Sequence, residues 1–217
     1  MPRQVKTRAY DGSRRKAAAA QTRQRILDAA RELFLARGYD QTSVADIAEH
    51  AGTSIDTVYA TVGRKAQLLL AVHDMELAAA PQPVPAQQRD YVQHVHAATT
   101  GAEMIRRYAA AMAERLPRTV PLMEALRAAG AKDPACAATY HSLSQRRLAN
   151  MRLFAADLRS TGDLRDDLGD DEVARVIWSM NSPDYFRLLA DAGCTPEEYA
   201  ALVGDVWTRT LLTRVRA

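Results

Sequence analysis

The sequence predicts an all-α protein, and two features of its composition indicate this fold class. Ala, Leu, Arg, Glu and Gln, which favour helices, recur in long stretches. Val, Ile and Thr, which favour strands, never form a sustained alternating run. Apolar residues make up 47% of the 217 residues, which is enough to bury a packed core. We therefore expect a globular protein built from helices.

The N-terminal segment is strongly basic, although the whole chain has a formal net charge of only +3. Met1–Arg25 contain eight Lys and Arg residues against one acidic residue, Asp11. We expect residues 1–20 to form a basic disordered arm. Such an arm can bind a polyanion such as nucleic acid, and it can equally be a solvated tail.

Helix one is expected to begin near Thr22 and to end at Gly38, because a glycine readily adopts the left-handed conformation that terminates a helix. Between these two residues the apolar side chains fall on one stripe of a helix, and the charged side chains lie off it. The stripe consists of Ile26, Ala30, Leu33 and Phe34.

Two short helices follow, with only a few residues between them. Ser43 can cap helix two, Val44 to about His50, while Asp46 reaches back to complete a capping box. Ser54 can cap helix three, Ile55 to about Thr61. Two helices joined by so short a turn must cross steeply.

A steep crossing requires a small residue where the helices touch and a glycine where the chain reverses, and Ala48 and Gly52 meet these needs. Ile47, Ala51 and Val58 then face helix one. This pattern is a helix-turn-helix, which binds DNA by placing the N-terminal side chains of its second helix in the major groove.

The segment Thr22–Val72 resembles the DNA-binding domain of the TetR family of bacterial repressors. The matching runs are ILDAARELF, RGYDQTSVADIAEHAG, the TVY of Thr57–Tyr59 and the GRKAQLL that follows. The resemblance implies a helix-turn-helix domain over residues 21–66 and a helical ligand-binding and dimerisation domain over residues 67–217. It also implies a homodimeric repressor that binds double-stranded operator DNA and is released by a small-molecule effector.

By position, the resemblance implies a set of DNA contacts. Phosphate contacts would come from Thr42, Ser43, Tyr59, Arg64 and Lys65, and base or backbone contacts from Ser54, Ile55, Asp56 and Thr57. The family often carries Lys or Arg where Ile55 stands and an aromatic pair where Thr61 and Val62 stand. These departures place more weight on Arg64, Lys65 and the arm.

Several of these residues also have a purely structural interpretation. Ser54 and Thr57 can act only as helix caps, and Asp56 can simply balance the helix dipole. Ile55 can pack on a thymine methyl group, a contact that apolar side chains make in the major groove.

Prolines and capping residues divide the rest of the chain. The run Pro81–Pro85 predicts a loop after helix four, which spans about Lys65–Ala78. The later helices are predicted from Thr100 or Gly101 to Pro117, from Pro121 to about Gly130, from Asp133-Pro134 to about Ser160, from Asp170 to Ala192 with a kink or break at Pro183, and from Thr195 to Leu212.

A ligand pocket is expected where apolar bulk combines with isolated polar atoms. The candidates are Tyr108, Met112, Tyr140, Met151, Trp178, Asn181 and Tyr185. Each can also be ordinary core, and Trp178 and Asn181, one helical turn apart, are the strongest pair.

The resemblance further implies a four-helix dimer interface built from the last two helices of each protomer. Its apolar candidates, which can also pack within one protomer, are Tyr185, Leu188, Leu189, Val203, Trp207 and Leu211.

Two other classes of protein are alternatives to this interpretation: an enzyme and an architectural DNA-binding protein. The sequence has no nucleophile elbow, P-loop, GxGxxG or HExxH motif, so we expect no enzyme. The closest approach to a metal site is His94-Val-His96, which we place in a loop without a third ligand. An architectural helix-turn-helix protein would bind DNA without sequence preference.

The cysteines and the hydropathy indicate the compartment. Cys136 and Cys194 lie in different segments and lack the spacing of a disulfide framework or a zinc site. The short Ala17–Ala20 run cannot serve as the apolar core of a signal peptide, and no run approaches membrane-spanning length. We expect a cytoplasmic protein without cofactor, metal or membrane contact.

Overall fold

The computed structural model describes residues 12–213, and these residues form ten α-helices and no strand. The helices are α1 (Gly12–Arg37), α2 (Val44–His50), α3 (Ile55–Thr61), α4 (Lys65–Ala78), α5 (Asp90–His96), α6 (Gly101–Gly130), α7 (Pro134–Ser160), α8 (Asp170–Met180), α9 (Pro183–Asp191) and α10 (Pro196–Leu211). The all-α prediction is therefore confirmed. None of these helices is both long enough and apolar enough to cross a membrane.

Helix α1 begins at Gly12 rather than near Thr22, so the prediction for its start was wrong. Residues 12–20, which we assigned to a disordered arm, are helical. The run Ala17–Ala20 and the Arg and Lys residues before it have high helix propensity, which explains the extension. Residues 1–11 of the expected arm lie outside the described residues.

The bounds of α2, α3 and α4 agree with the predictions, and the starts of α2 and α3 are fixed by local hydrogen bonds from capping serines. The Ser43 hydroxyl accepts from the Asp46 amide at 3.0 Å, and the Ser43 amide donates to the Asp46 carboxylate at 2.7 Å. Ser54 caps α3 through the Thr57 amide at 3.1 Å. Gly52 has φ +63°, which allows the reversal between the two helices.

Helix α6 is continuous, whereas we expected a break between Pro117 and Pro121. Each proline lacks an N–H and therefore removes one hydrogen bond from the helix. Leu116, Val120 and Met123 are all buried on the same helix. Burial of these side chains offsets the lost hydrogen bonds, since packing commonly overrides local propensity.

The expected loop after α4 contains an additional helix. One turn of 3-10 helix, Ala86–Gln88, precedes α5. His94 and His96 belong to α5, so they are helical rather than in a loop. His96 Nε2 lies 3.5 Å from a carboxylate oxygen of Asp157. Across residues 12–213, no three His, Cys, Asp or Glu side chains are grouped so as to hold a metal ion.

Two apolar cores hold the molecule together, and they share α6. The N-terminal core contains the predicted stripe of α1 together with Ile47 and Val58, and it also takes in Leu122 and Leu126 of α6 and Cys136 of α7. The C-terminal core is built from α6, α7, α8, α9 and α10. Helix α4 packs against α1 on one side and against α6 and α7 on the other. The helix-turn-helix is therefore attached through α4 to the C-terminal helices.

Half of the expected dimer contacts are instead internal core. Val203, Trp207 and Leu211 are no more than 2% exposed and pack inside the protomer, with α10 lying against α6. Their spacing of four residues defines a buried stripe, and one sequence cannot show which neighbour covers such a stripe. Leu188, by contrast, is 64% exposed on α9.

Candidate DNA-binding face and ligand cavity

Helix α3 presents its N-terminal end to solvent while its opposite side is fixed in the core. Ser54 and Asp56 are exposed and Ile55 is 42% exposed, whereas Val58 is fully buried. At the other end of α3, the Arg23 guanidinium of α1 donates to the carbonyl oxygen of Thr61 at 2.9 Å. The orientation of α3 is therefore fixed, and the polar and apolar side chains at its N-terminal end are free to contact a macromolecular partner.

The capping serines differ in whether the hydroxyl is left free to donate to another group. The hydroxyl of Ser43 uses a lone pair to accept from the backbone, which leaves its proton free to donate, and the side chain is exposed. The Ser54 hydroxyl lies 2.8 Å from the Thr57 hydroxyl, so one of the two donates to the other. For Ser43, the capping role is thus compatible with the DNA contact expected from the sequence.

Thr42 is not available for phosphate contact through its side chain. It is 1% exposed, its hydroxyl donates to the carbonyl of Gly38 at 2.8 Å, and its amide donates to Tyr39 at 3.2 Å. Its role is to close the turn after α1. The expectation that Thr42 touches DNA is therefore corrected, and the other expected residues are at least partly exposed.

Lys65 is held in place by Tyr39, a residue that no motif of the sequence marks as part of the site. The Lys65 Nζ lies 4.0 Å from the centre of the Tyr39 ring, a cation–π contact. Burial lowers the pKa of Lys65, while Asp40 acts in the opposite direction. The Tyr39 hydroxyl lies 3.1 Å from Cys136 Sγ of α7. Lys65 and the neighbouring exposed Arg64 are thus positioned at the start of α4, next to α3.

The other end of α4 borders a cavity in the C-terminal domain. This cavity, the inner chamber, has a volume of about 60 Å³, and a neighbouring cavity of about 220 Å³, the outer chamber, shares Tyr91, Tyr108, Asn150 and Met151 with it as lining residues. His73 and Leu77 of α4 line the inner chamber. The cavity is therefore in direct contact with the helix that carries Lys65.

Four of the seven expected ligand-binding residues line the inner chamber: Tyr108, Met112, Met151 and Asn181. The other three do not line either chamber. Tyr140 packs against the N-terminal core, Trp178 donates its indole N–H to the Ser144 carbonyl at 3.3 Å, and Tyr185 packs against the C-terminal core. His73, Arg89 and Arg147 also line the inner chamber, and no local sequence pattern marks them as cavity residues.

Helix α4 is tied to its surroundings by two buried carboxylates. Asp74 accepts two hydrogen bonds from the Arg146 guanidinium at 2.5 and 2.9 Å, and it lies 3.9 Å from Arg89. Glu76 pairs with Arg31 of α1 and lies 3.8 Å from Arg118 of α6. Movement of α4 would therefore have to change contacts to α1, α6 and α7 together.

Comparison with known proteins agrees with this architecture. Residues 26–72 match the family described as bacterial regulatory proteins, tetR family. No curated protein sequence matches the chain. Several solved structures are similar to nearly the whole chain.

A transcriptional regulator from Saccharomonospora viridis in complex with choline shows 20% identity and a TM-score of 0.66, covering 90% of this chain and 100% of that one. The fatty acid degradation regulator of Bacillus halodurans shows 15% identity and a TM-score of 0.65, covering 89% and 97%. A tetR regulator from Streptomyces fradiae shows 21% identity and a TM-score of 0.59, covering 90% and 88%. Residues 26–72 therefore match the tetR family, and the chain as a whole shares its fold with these solved proteins.

Proposed function

We propose that the protein is a repressor that binds a palindromic operator as a homodimer and leaves it when a small, partly hydrophobic ligand occupies the cavity. One observation carries the proposal: α4 holds Lys65 at its first residue and lines the cavity through His73 and Leu77 near its other end. Along the helix, Lys65 is roughly 12 Å from His73 and roughly 18 Å from Leu77. A shift of α4 caused at the cavity would therefore move the residues next to α3.

Ligand binding can act on DNA binding only if the ligand prefers one position of α4 over another. The inner chamber is small, and packed interiors deform in steps rather than continuously. A ligand larger than the inner chamber would therefore displace α4 or α6. The similar structure from Saccharomonospora viridis holds choline, which supports small-molecule binding by this fold.

In the proposed complex, α3 of each protomer enters the major groove of one half-site. Ile55 would pack on a thymine methyl group, and Ser54, Asp56 and Thr57 would contact bases or backbone. Ser43, Tyr59, Arg64 and Lys65 would contact phosphates. Binding to chromosomal DNA would place this activity in the cytoplasm.

Selection of bound DNA from a random pool tests the proposal directly. Full-length protein is expected to enrich an inverted repeat whose half-sites are about one helical turn or somewhat more apart. Adding a ligand that binds the cavity should then reduce the affinity for that sequence. Recovery of no preferred sequence, with binding governed only by salt, would favour the architectural alternative instead.

Replacing Lys65 with alanine is expected to weaken binding to the selected operator by about tenfold. The effect should be similar for all sequences, and the slope of log affinity against log salt should fall by about one, because one phosphate contact is lost. Fluorescence anisotropy at several salt concentrations measures both quantities.

Arg175→Ala provides a matched control for this variant. Arg175 is an exposed cation on α8 of the C-terminal domain, and its substitution removes the same charge. The control should leave the salt slope unchanged. Equal effects of the two substitutions would mean that Lys65 acts only through the net charge of the protein.

A further inference from the structure

The inner chamber contains a guanidinium without an acidic partner. Arg147 of α7 donates from one nitrogen to the Trp178 carbonyl at 3.0 Å and to the side-chain oxygen of Asn181. Within residues 12–213, no Asp or Glu oxygen lies within 4.0 Å of it. Arg89, which lines the same chamber, differs because Asp74 lies 3.9 Å away. One positive charge in the chamber is therefore not balanced by an ion pair.

The hydrogen bonds around Arg147 leave an excess of donors. The Asn181 amide group donates to the Tyr108 hydroxyl at 2.6 Å, and that hydroxyl donates in turn to Met151 Sδ at 3.3 Å. A thioether is a weak acceptor. Three of the five N–H bonds of Arg147 also have no acceptor among the described residues, since only one of its nitrogens is engaged. The inner chamber therefore presents one cation and one neutral hydroxyl as hydrogen-bond donors. This arrangement suits a ligand group that only accepts hydrogen bonds.

Burial acts on both donors in ways that fit this interpretation. It lowers the pKa of Arg147, because a desolvated cation is disfavoured when nothing balances its charge. It raises the pKa of Tyr108, so the hydroxyl keeps its proton and remains a donor. An anion that enters the chamber would balance the charge of Arg147 and accept a hydrogen bond from the Tyr108 hydroxyl.

The two chambers differ in polarity. Among residues 12–213, neither Asp nor Glu lines the inner chamber, whereas Asp157 lines the outer one. The outer chamber is also lined by Val92, Val95 and Phe154, which suit an apolar chain. A molecule with an anionic end and an apolar end would therefore be oriented with its charge inward.

We propose that the ligand is a carboxylate with an apolar tail, bound with its carboxylate between Arg147 and Tyr108 and its tail in the outer chamber. A carboxylate accepts hydrogen bonds through two oxygens and can receive two parallel bonds from one guanidinium. Its charge would pair with Arg147, the arginine of the inner chamber that has no carboxylate oxygen within 4.0 Å among the described residues. The small inner chamber accommodates a head group of this size better than a bulkier phosphate ester. This inference names the ligand class for the cavity and rests on the proposed function.

Binding of octanoate to the full-length protein without DNA, measured by calorimetry, tests the inference. Octanoate is expected to bind about 10- to 100-fold more tightly than octan-1-ol, which has the same tail without the charge, and octylamine should bind worst. Butanoate and dodecanoate test the length of the tail. Equal binding of octanoate and octan-1-ol, or no binding by any of the three carboxylates, would overturn the proposal.

Arg147→Met removes the charge and keeps an apolar stem, and it should abolish the preference for octanoate over octan-1-ol. Arg147→Lys should restore part of that preference. Arg152→Met on the same helix, where Arg152 is exposed and pairs with Asp171, is the matched control and should retain it. If the Arg147 variants fail to fold, the comparison of the three octyl compounds on the unaltered protein still decides the question.

The effect on operator binding is measured separately. Octanoate that binds through Arg147 but leaves the operator complex intact would support the site and refute ligand-driven release. Release of the operator by an uncharged compound, without octanoate binding, would support the proposed function and refute the carboxylate.

Discussion

Replacing Asp74 with asparagine is expected to lower the free energy of unfolding by about 3–5 kcal/mol, because it removes the only charge that balances a buried cation. The Arg89 side chain is 5% exposed, and Asp74 is its sole ion-pair partner in the described part of the chain. Asparagine cannot balance the charge of Arg89 or accept the paired hydrogen bonds from Arg146. Urea denaturation at neutral pH measures the loss.

Asp171→Asn is the appropriate control, since Asp171 is 59% exposed and also pairs with arginine, at 2.7 Å. Surface ion pairs contribute little, so this substitution should change the free energy of unfolding by less than about 0.5 kcal/mol. Similar changes in the free energy of unfolding for the two variants would show that the contacts of Asp74 with Arg89 and Arg146 do not stabilise the fold.

The same network predicts how stability depends on pH. Burial opposes ionisation of Asp74, but hydrogen bonds from His73 and Arg146 hold the pKa of this carboxyl below its usual value. The unfolded state therefore binds the proton more readily than the folded state, so stability rises with pH across this range. The contribution of Asp74 should be complete above pH of about 4 and lost as the pH falls through the lower, folded pKa. In Asp74→Asn this part of the acid dependence should disappear.

Features set by neighbouring residues were predictable from the sequence, whereas features set by packing were not. The caps at Ser43, Ser54 and Thr195 depend on hydrogen bonds to residues three positions away, and all three are present. Pro117 and Pro121 predicted a break because their local cost is visible in the sequence. The burial that offsets this cost depends on helices distant in the sequence.

The residues that line the cavity also show the difference between features set by neighbouring residues and features set by packing. Trp178 and Asn181 were expected to act as a pair because they are one turn apart, but α8 ends at Met180. Asn181 therefore lies beyond the end of α8 and lines the inner chamber, while Trp178 donates a hydrogen bond to α7. His73, Arg89 and Arg147 come from different elements, and nothing in their local sequence indicates that they meet.

Replacing Leu188 with glutamate is expected to raise the dissociation constant of the proposed homodimer by about a thousandfold. Leu188 is the most exposed large apolar residue among those the structure describes, and it lies on one of the helices that the family resemblance assigns to the interface. Burying one leucine contributes roughly 2 kcal/mol. A two-fold interface contains each residue twice, so the loss is roughly 4 kcal/mol even before the cost of burying a carboxylate.

Sedimentation measures the mass of the variant, and operator titration shows the consequence for function. A monomer contacts one half-site and about half of the phosphates, so the salt slope of binding should fall to about half its original value. Leu35→Glu is the control, because Leu35 is 51% exposed on α1 in the other domain and the same charge is introduced. A Leu188→Glu protein that remains dimeric would move the interface away from α9. If the unaltered protein were itself monomeric at micromolar concentration, operator recognition by two linked recognition helices would have to be abandoned, since nothing else in the proposed mechanism fixes the spacing between half-sites.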